Sequence, residues 1–423
     1  MKFEQLKLIP EVLKALEDQN YAEPTAIQEQ AIPLVLNNED VLGSAQTGTG
    51  KTAAFAIPII QHLAEDSHRD SRKISALIVT PTRELAIQIG ESFTTYAKYT
   101  KISNTVIFGG VSQHNQVKTL RMEIDVLVAT PGRLLDLMDQ GFISLKHIKY
   151  FVLDEADRML DMGFIHDVKR IIQKLPHKRQ SLFFSATMPA KILELSREIL
   201  SNPKKVAVNP VASTAETVQQ RLFYTNKSDK KALLLHILNG LDPAQVLVFS
   251  RSKHGADRIV KDLRKKHIEC AAIHGDKNQN QRQKALSDFK SNKIRVLIAT
   301  DIAARGIDID KLQFVVNYDI PNEPETYVHR IGRCGRAGEL GVSISISEPE
   351  ENAYVKDIEK LIKQIIPVAK ENPFPQTEKP MNAAEKKEFE KEKQRRKQEF
   401  FANRNKNKGS KNTGFNKKGR NRR

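Results

Sequence analysis

The sequence predicts an α/β fold with two tandem, doubly wound parallel-sheet domains and a disordered basic tail. Four short runs in the first half are apolar at successive positions, which is typical of strands buried on both faces of a sheet. They are ALIVT (76–80), DVLVAT (125–130), YFVLD (150–154) and SLFFS (181–185). After a polar stretch the rhythm returns in QVLVFS (245–250), CAAIH (270–274), RVLIAT (295–300) and QFVVNY (313–318). Longer helical stretches alternate with these runs, as in α/β domains.

Composition shifts along the chain set the expected segment boundaries. A polar stretch of small residues at 209–217 is the predicted linker. It separates a first domain at 31–208 from a second at 218–370, and a tail occupies 371–423. Residues 1–30 form a separate segment before the first domain. A chain of 423 residues is long enough for two such domains, each with its own core.

The charge of the chain indicates a polyanionic partner. The net charge is +17 and the pI is about 9.6. Residues 371–423 hold 17 Lys or Arg against seven Glu, a net charge of +10. The last 23 residues are rich in Asn, Gly, Lys and Arg and have no acidic group, so we expect them to be disordered. The mixed-charge segment at 382–401 before them is compatible with a solvated helix.

Several protein classes are disfavoured by the sequence. The longest apolar runs are about eight residues, far short of the roughly 20 that span a bilayer. The polar start MKFEQLKLIP does not resemble a signal peptide. Two cysteines, Cys270 and Cys334, provide no disulfide or zinc framework. We therefore expect a cytoplasmic protein without a membrane partner.

Polar motifs follow the predicted strands where each strand ends. In doubly wound sheets ligands bind outside the carboxyl ends of the strands. The motifs are AQTGTGKT (45–52), PTRELA (81–86), TPGR (130–133), DEAD (154–157), SAT (185–187), SRS (250–252), HGD (274–276) and TDIAARGID (300–308). One edge of each sheet thus carries the polar chemistry, and a cleft between the two edges is the expected active site.

The first motif has the Gly-Lys-Thr ending of a phosphate-binding loop. Backbone N–H groups from Gly48 to Lys51 can wrap phosphates, aided by the following helix N-terminus. Lys51 would reach the β- and γ-phosphates, and the Thr52 hydroxyl would ligate Mg²⁺. Ala45 stands where the general pattern has glycine. By itself the motif is also compatible with an ordinary glycine-rich turn.

Acidic residues follow the strand YFVL in the same domain. Asp154 occupies the place of a carboxylate that holds the nucleotide-bound magnesium. Glu155 is placed to orient and deprotonate an attacking water. The alternative is a charged strand end that begins a helix with acidic residues. Its coupling to the phosphate loop favours the nucleotide interpretation.

The ordered motifs together resemble the DEAD-box RNA helicases of superfamily 2. The resemblance adds YAEPTAIQ (21–28), a GG pair at 109–110 and HRIGRCGRAG (329–338) to the motifs above. It implies two RecA-like domains, ATP and Mg²⁺ as cofactors, RNA as partner and an RNA-dependent ATPase activity. The family itself carries alanine at the position of Ala45. The compact core with its basic tail is most similar to the bacterial RhlE-like subgroup.

The resemblance assigns the nucleotide contacts. It makes residues 1–30 an adenine-recognition segment, in which Phe3 stacks on the base and Gln28 hydrogen-bonds the adenine. Asn20 replaces the family's usual glycine, and asparagine tolerates positive φ. Core packing of Phe3 and Tyr21 is the alternative. The full predicted nucleotide set is Phe3, Tyr21, Thr25, Gln28, Ala45, Gln46, Thr47, Gly48, Thr49, Gly50, Lys51, Thr52 and, on the ribose, Asp308.

The second domain is expected to complete the ATPase. Arg333 and Arg336 resemble the family's arginine fingers, which stabilise charge on the γ-phosphate across the cleft. His329 and Asp157 would couple the closure of the domains to the ATP site. Cys334 replaces the family's usual threonine and would make the enzyme sensitive to thiol reagents. An arginine-rich structural turn is the alternative.

The resemblance also implies a strand-binding surface. Its predicted members suit phosphate and sugar contacts, which position RNA without reading its sequence. They are Pro81, Arg83, Gly110, Thr130, Gly132, Arg133, Gln279, Arg282 and Thr300. Ser185 and Thr187 would link this surface to the ATP site. Each residue alone is equally compatible with a helix cap or a surface charge.

The predicted function is an ATP-dependent RNA helicase that unwinds short duplexes or remodels RNA–protein complexes by domain closure. An ATP-switched RNA clamp or annealing factor is one alternative, and a DNA helicase of the same superfamily is another. We expect a monomer that binds single strands and short duplexes without sequence preference. Ribosome-assembly and RNA-decay partners are both compatible with the sequence.

Overall fold

Two parallel β-sheets form the framework of the molecule. The computed structural model describes residues 2–45, 49–66, 73–207, 218–304, 309, 312–334, 341–380, 385 and 395. All strand pairs in both sheets are parallel, and helices connect the strands. The predicted fold of two tandem doubly wound domains is confirmed.

The first sheet has seven strands in the order β3-β4-β2-β5-β6-β1-β7. They are β1 (Val41–Ser44), β2 (Ala76–Val79), β3 (Asn104–Ile107), β4 (Val126–Ala129), β5 (Tyr150–Leu153), β6 (Gln180–Ser185) and β7 (Lys204–Ala207). The connections after β1 and β2 run toward the β3 edge, and those after β5 and β6 run toward the β7 edge. The loops that follow the neighbouring strands β1 and β6 therefore diverge where ligands bind in such sheets.

Nine α-helices accompany the first sheet in the described residues. They are α1 (Pro10–Asp18), α2 (Ala26–Leu36), α3 (Lys51–Glu65), α4 (Arg83–Tyr96), α5 (His114–Leu120), α6 (Pro131–Asp139), α7 (Ala156–Asp161), α8 (Ile165–Ile172) and α9 (Ala190–Ile199). A 3-10 turn at Phe3–Leu6 precedes them. Alternate residues of β2 enter different cores: Ile78 packs with α3 and α4, whereas Val79 packs on the opposite face with α6. Both faces of the sheet are therefore buried.

The second sheet has six strands in the order β10-β11-β9-β12-β13-β8. They are β8 (Val218–Tyr224), β9 (Val246–Phe249), β10 (Cys270–Ile273), β11 (Val296–Ala299), β12 (Phe314–Asn317) and β13 (Gly341–Ser347). The helices are α10 (Lys230–Gly240), α11 (Lys253–Arg264), α12 (Gln279–Lys290), α13 (Asp301–Ala304), α14 (Pro324–Ile331) and α15 (Asn352–Ile362), with a 3-10 turn at Pro349–Glu351. Two hydrophobic cores again cover opposite faces of the sheet.

All eight predicted strands are present, and the structure adds strands that the apolar-run criterion missed. The clearest is β13, whose sequence GVSISIS alternates serine with apolar residues although the strand is buried. Its serines are satisfied inside the sheet, since Asn317 Nδ2 donates to Ser343 Oγ at 3.3 Å and to Ser345 Oγ at 3.2 Å. Burying a polar side chain costs little free energy when the side chain is hydrogen-bonded. The strand can therefore be buried without a continuous apolar run.

The chain after the second sheet packs on it before leaving the described part. Asn372 Nδ2 donates to the Tyr224 carbonyl at 2.8 Å, and the backbone N–H of Thr377 donates to Asn226 Oδ1 at 3.0 Å. Residues 371–380 of the predicted tail are therefore held on the second domain. The predicted linker at 209–217 and nearly all of the remaining tail lie outside the described residues. Among the described helices, none combines the length and apolar character required to cross a membrane.

Candidate active site between the two sheets

The phosphate loop connects β1 to α3 at the carboxyl edge of the first sheet. Gly50 caps α3 with φ +92°, a conformation that L side chains rarely adopt. A Cβ at this position would lie 2.3 Å from Gln28 Nε2. Both backbone angle and space therefore require glycine here. Gln46, Thr47 and Gly48, predicted as nucleotide contacts, lie outside the described residues.

The predicted adenine segment contacts this loop directly. Thr25 Oγ1 donates to the Thr49 carbonyl at 2.8 Å, and Gln28 Nε2 donates to the Gly50 carbonyl at 3.1 Å. Gln28 Oε1 also accepts from the backbone N–H of Thr25 at 3.0 Å, which caps α2. An amide has two donors and two acceptor sites, so one of each stays available for a base. The adenine segment thus stabilises the phosphate loop and keeps hydrogen-bonding capacity for a ligand.

The two predicted aromatic residues differ in exposure. Phe3 is only 3% exposed and packs in the core of the first domain, the alternative raised for it above. Its ring stacks on Tyr21 with centroids 6.4 Å apart, and Tyr21 is 41% exposed. The ring available to a ligand is therefore that of Tyr21, with Phe3 behind it. The neighbouring Asn20 has φ +57°, the positive value that asparagine was expected to tolerate.

Lys51 is the first residue of α3 and is buried. Its Nζ donates to the Ala45 carbonyl at 2.7 Å, which closes the loop on itself. Thr52 follows in the first helical turn and is half-buried. The backbone N–H of Ala45 donates to the Ser185 carbonyl at 3.2 Å, so the start of the loop is fixed to the SAT motif.

Asp154 lies directly after β5 and is 2% exposed. Its Oδ1 is buried without a hydrogen-bond partner among the described residues. Burial raises the pKa of Asp154 to about 6, against the opposing charge of Lys51. A buried, unpaired carboxylate oxygen is costly, and a hard cation would relieve that cost. The donor set of Asp154 and the Thr52 hydroxyl thus fits a magnesium ion.

Glu155 caps α7 in a left-handed conformation with φ +57° and ψ +49°. This region is uncommon for a residue with a side chain, and such strain concentrates at functional sites. Its carboxylate is buried, and Oε2 accepts from Arg158 Nη1 at 2.5 Å. The predicted base is therefore held by an ion pair in a rigid, water-poor position.

Asp157 joins the DEAD and SAT motifs through hydrogen bonds. Its Oδ2 accepts from the backbone N–H and the hydroxyl of Thr187 at 2.8 and 2.9 Å. Its own backbone N–H donates to Ser185 Oγ at 3.1 Å. Burial opposes ionisation of the carboxyl, but the charges of Lys51 and His329 and the Thr187 bonds hold the pKa of Asp157 below its usual range.

The second domain meets this site across a narrow cleft. His329 and Arg333 line the cleft opposite Arg158 of the first domain. His329 is close enough for its charge to lower the pKa of Asp157. Arg333 is buried just after α14. Arg336 and Asp308, the other predicted contributions of this domain, lie outside the described residues.

Cys334 is not placed as a reactive thiol. It is 1% exposed, and its Sγ contacts the Val342 carbonyl at 3.3 Å. Burial raises the pKa of the Cys334 thiol to about 12. Since the thiolate is the reactive form, the expected sensitivity to thiol reagents is wrong for this residue.

Two of the predicted RNA residues of the first domain, Arg83 and Arg133, lie against the backbone at Gly110 and Val111. Gly110 has φ +76°, and a Cβ there would lie 2.0 Å from Arg83 Nη2, so the arginine lies directly over it. Arg133 Nη2 donates to the Val111 carbonyl at 2.9 Å. Thr130 is the N-cap residue of α6, with Gly132 in the first turn, and Pro81 is buried before α4.

The second domain adds Gln279 and Arg282, and both contact Glu84 of the first domain. Gln279 Nε2 donates to Glu84 Oε1 at 3.0 Å, and Arg282 Nη2 lies 3.1 Å from Oε2. Burial and the nearby charge of Arg282 lower the pKa of Arg83, despite Glu84. Crowded guanidinium groups with one carboxylate leave an excess of positive charge. Thr300 is mostly buried at the end of β11.

Two residues of the site escaped the sequence reasoning. Glu84 bridges the domains, and Arg158 pairs with the predicted base. Both lie inside or beside quoted motifs, PTRELA and DEADRML. The placement of the domains determines what Glu84 contacts, whereas Arg158 reaches Glu155 within one helical turn of the first domain.

Comparison with known proteins agrees with this geometry. The DEAD/DEAH box helicase family matches residues 25–195, and the helicase conserved C-terminal domain matches residues 229–338. The ATP-dependent RNA helicase CshA of Limosilactobacillus reuteri is 44% identical over 85% of this chain and 72% of its own. The ATP-dependent RNA helicase RhlB of Shewanella frigidimarina is 40% identical over 87% and 86%.

A solved structure has the same arrangement of domains. Saccharomyces cerevisiae Dbp5 bound to RNA and ADP BeF3 superposes with a TM-score of 0.78 and 33% identity, over 87% of this chain and 95% of that one. The two sheets are RecA-like helicase domains. The family matches and the shared arrangement establish that this chain belongs to the DEAD/DEAH box helicase family.

Proposed function

We propose that this ATP-dependent RNA helicase separates short duplexes locally, by closing its two domains over ATP and one RNA strand. The observation that supports this most is the position of Asp157. Its carboxylate accepts two hydrogen bonds from Thr187 in the first domain. The charges of Lys51 and His329 also lower its pKa. One residue is therefore hydrogen-bonded to the SAT motif and within reach of charges from the phosphate loop and the second domain, which is what coupled closure needs.

ATP would be held mainly by the first domain. The loop from Ala45 to Thr52 would cradle the phosphates, with Tyr21 and Gln28 on the adenine and Asp308 on the ribose. Thr52 and Asp154 would hold Mg²⁺, which supplies charge neutralisation on the phosphate oxygens when bound. Arg333 and Arg336 would approach the γ-phosphate from the second domain, so hydrolysis would require the closed arrangement.

Glu155 would act as the general base. A buried carboxylate near a nucleotide can orient a water and accept its proton. Asp157, Ser185 and Thr187 would not touch the reacting atoms but transmit closure. Because the arginines and the base come from different domains, neither domain alone would hydrolyse ATP.

RNA would lie across both domains, along the predicted strand-binding residues. Arg83 and Arg133 from one domain and Arg282 from the other suit backbone phosphates, and the N-terminus of α6 after Thr130 adds N–H donors. Contacts of this kind position a strand without reading its sequence. Preference for RNA over DNA would come from 2′-hydroxyl contacts. Since ATP and RNA both favour the closed state, each would tighten binding of the other.

The test is strand displacement from a short RNA duplex together with ATP hydrolysis. Wild type should displace the strand only with ATP, and Glu155→Gln should lose both activities while still binding ATP and RNA. A protein that binds RNA in response to ATP without displacing a strand would be the clamp or annealing factor. Equal ATPase stimulation by RNA and DNA of one sequence would favour a DNA helicase instead.

The tail after residue 400 would anchor RNA by charge. Deleting residues 401–423 should weaken RNA binding and flatten its dependence on salt, since fewer counterions are released. RNA-independent ATP hydrolysis should stay the same, and an unchanged salt slope would contradict the anchor. The RhlE-like subgroup, a cytoplasmic monomer and a role in ribosome assembly or RNA decay are the finer parts of this proposal. The subgroup assignment is supported by the compact core and basic tail.

A further inference from the structure

Arg158 is the one residue that contacts the predicted base and also lines the cleft to the second domain among the described residues. Its Nη1 lies 2.5 Å from Glu155 Oε2, and both side chains are 4% exposed. The same arginine faces the cleft together with His329 and Arg333 of the second domain. The Arg158 end of the ion pair therefore faces residues of the second domain.

Residues of the second domain contribute to the burial of Arg158. α7, which carries Arg158, belongs to the first domain, whereas Phe249, Asp301 and Thr326 on the far wall of the cleft belong to the second. If the domains moved apart, that wall would be removed and the guanidinium would meet water. An ion pair exposed to water contributes little and holds neither side chain firmly, whereas a buried one fixes both.

The contact also leaves the chemistry of Glu155 intact. Arg158 donates to Oε2 through one nitrogen, and Oε1 has no hydrogen-bond partner among the described residues. A carboxylate can accept about four hydrogen bonds, so Oε1 can still bind a water. The left-handed backbone of Glu155 sets the direction of the side chain, and Arg158 sets its rotation.

We propose that Arg158 is a positioning residue that aims Glu155 at the attacking water when the domains close. It is not a catalytic residue, because it acts through the base. This inference rests on the proposed function, in which Glu155 is the base and closure precedes hydrolysis. Closure would then have two effects on the site. It would bring in the arginines of the second domain, and it would fix the orientation of the Glu155 side chain in the first.

A purely structural ion pair is the competing interpretation. Buried ion pairs give little net stability, because desolvation offsets the attraction. Glu155 directly follows Asp154, the predicted magnesium carboxylate, and Arg158 lines the cleft to the second domain. A structural role predicts loss of folded protein, whereas a positioning role predicts loss of turnover in protein that still binds ATP. Measuring the amount of folded protein, ATP binding and turnover together distinguishes the two roles.

The experiment compares wild type with Arg158→Gln, Arg158→Lys and Arg170→Gln. Arg170 is an exposed arginine in α8 and serves as the matched control. RNA-stimulated kcat and the KM for ATP are measured per ATP-binding site. We expect kcat of Arg158→Gln to fall roughly 10- to 100-fold with KM within about twofold, as for a misplaced catalytic group. Arg158→Lys keeps the charge with a shorter reach and should recover part of that loss.

Glu155→Gln and wild type are run in parallel so that two failures can be told apart. Inactive wild type would overturn the proposed function itself. Active wild type, inactive Glu155→Gln and full kcat in Arg158→Gln would overturn only the role of Arg158. A raised KM with unchanged kcat would overturn it as well. If Arg158→Gln does not fold, Arg158→Lys decides: a severalfold lower kcat supports the inference, and a wild-type kcat contradicts it.

Discussion

Asp157 and Thr187 are joined by two hydrogen bonds that converge on one carboxylate oxygen. The Thr187 backbone N–H and hydroxyl donate to Asp157 Oδ2 at 2.8 and 2.9 Å. Bonds to a charged acceptor are roughly twice as strong as neutral ones. The pair fixes the SAT motif to the DEAD motif at the point where the second domain approaches. A structural change in either motif should therefore displace the other.

Thr187→Val removes one of these bonds and keeps the shape of the side chain. The backbone bond persists, so we expect the ATP site to form and RNA-stimulated ATP hydrolysis to stay within a fewfold. Strand displacement should fall by about tenfold or more, which corresponds to one lost charge-assisted hydrogen bond of 1.5–3 kcal/mol. The measurement is the ratio of the two rates. Thr119→Val, on an exposed face of α5, is the control and should leave the ratio unchanged.

Gly50→Ala tests the contact between the adenine segment and the phosphate loop. The new Cβ would meet Gln28 Nε2 at 2.3 Å and add strain at φ +92°. Gly141 also has positive φ, at +79°, but open space around it. Strain alone costs on the order of 1 kcal/mol of stability, so Gly141→Ala should lower thermal stability and leave the KM for ATP unchanged. Gly50→Ala should raise that KM at least tenfold. Equal effects of the two variants would contradict the contact.

The fold could be predicted from the sequence wherever burial demands apolar residues. β2, β4, β9 and β11 are fully buried and uniformly apolar, so their sequences identify them. The exposed edge strand β7 and strands with internal polar partners carry no such signal. Lys204–Ala207 exposes three of four residues, and β13 buries its serines through Asn317. Both strands form because of neighbouring strands that are distant in sequence.

The site was predictable at the level of motifs but not of contacts. Lys51 and Asp154 lie at the carboxyl edge of the first sheet, where their motifs were predicted to lie. The exposed partner of the predicted aromatic pair is Tyr21, because Phe3 is drawn into the core by its apolar neighbours. Glu84 acquires its role only from the second domain, whose residues Gln279 and Arg282 lie about 200 positions away in the chain. Pairings at that separation have no local signal.

Glu84→Gln should weaken the coupling between ATP and RNA. Glu84 binds Gln279 and Arg282 across the closed interface, and the neutral amide keeps the size but loses the charge. The gain in RNA affinity on adding ADP–beryllium fluoride should fall by about tenfold, within the 1.5–3 kcal/mol of a hydrogen bond to a charged group. RNA affinity without nucleotide should change less. Glu91→Gln, exposed on the same helix, is the control, and a matching loss there would remove the assigned role.

Asp154→Asn should stabilise the nucleotide-free protein while abolishing ATP hydrolysis. Burial raises the pKa of Asp154 from 3.8 to about 6, so the folded state binds the proton more tightly than the unfolded state. The carboxyl therefore contributes stability below the unfolded pKa, and that contribution is lost as the pH rises through 6. Removing the charge should add on the order of 1–3 kcal/mol at pH 7.5 and less at pH 5. Urea unfolding in EDTA measures this, with the exposed Asp139→Asn as control. A gain that does not grow with pH would show that the carboxylate is not held unpaired in the folded protein.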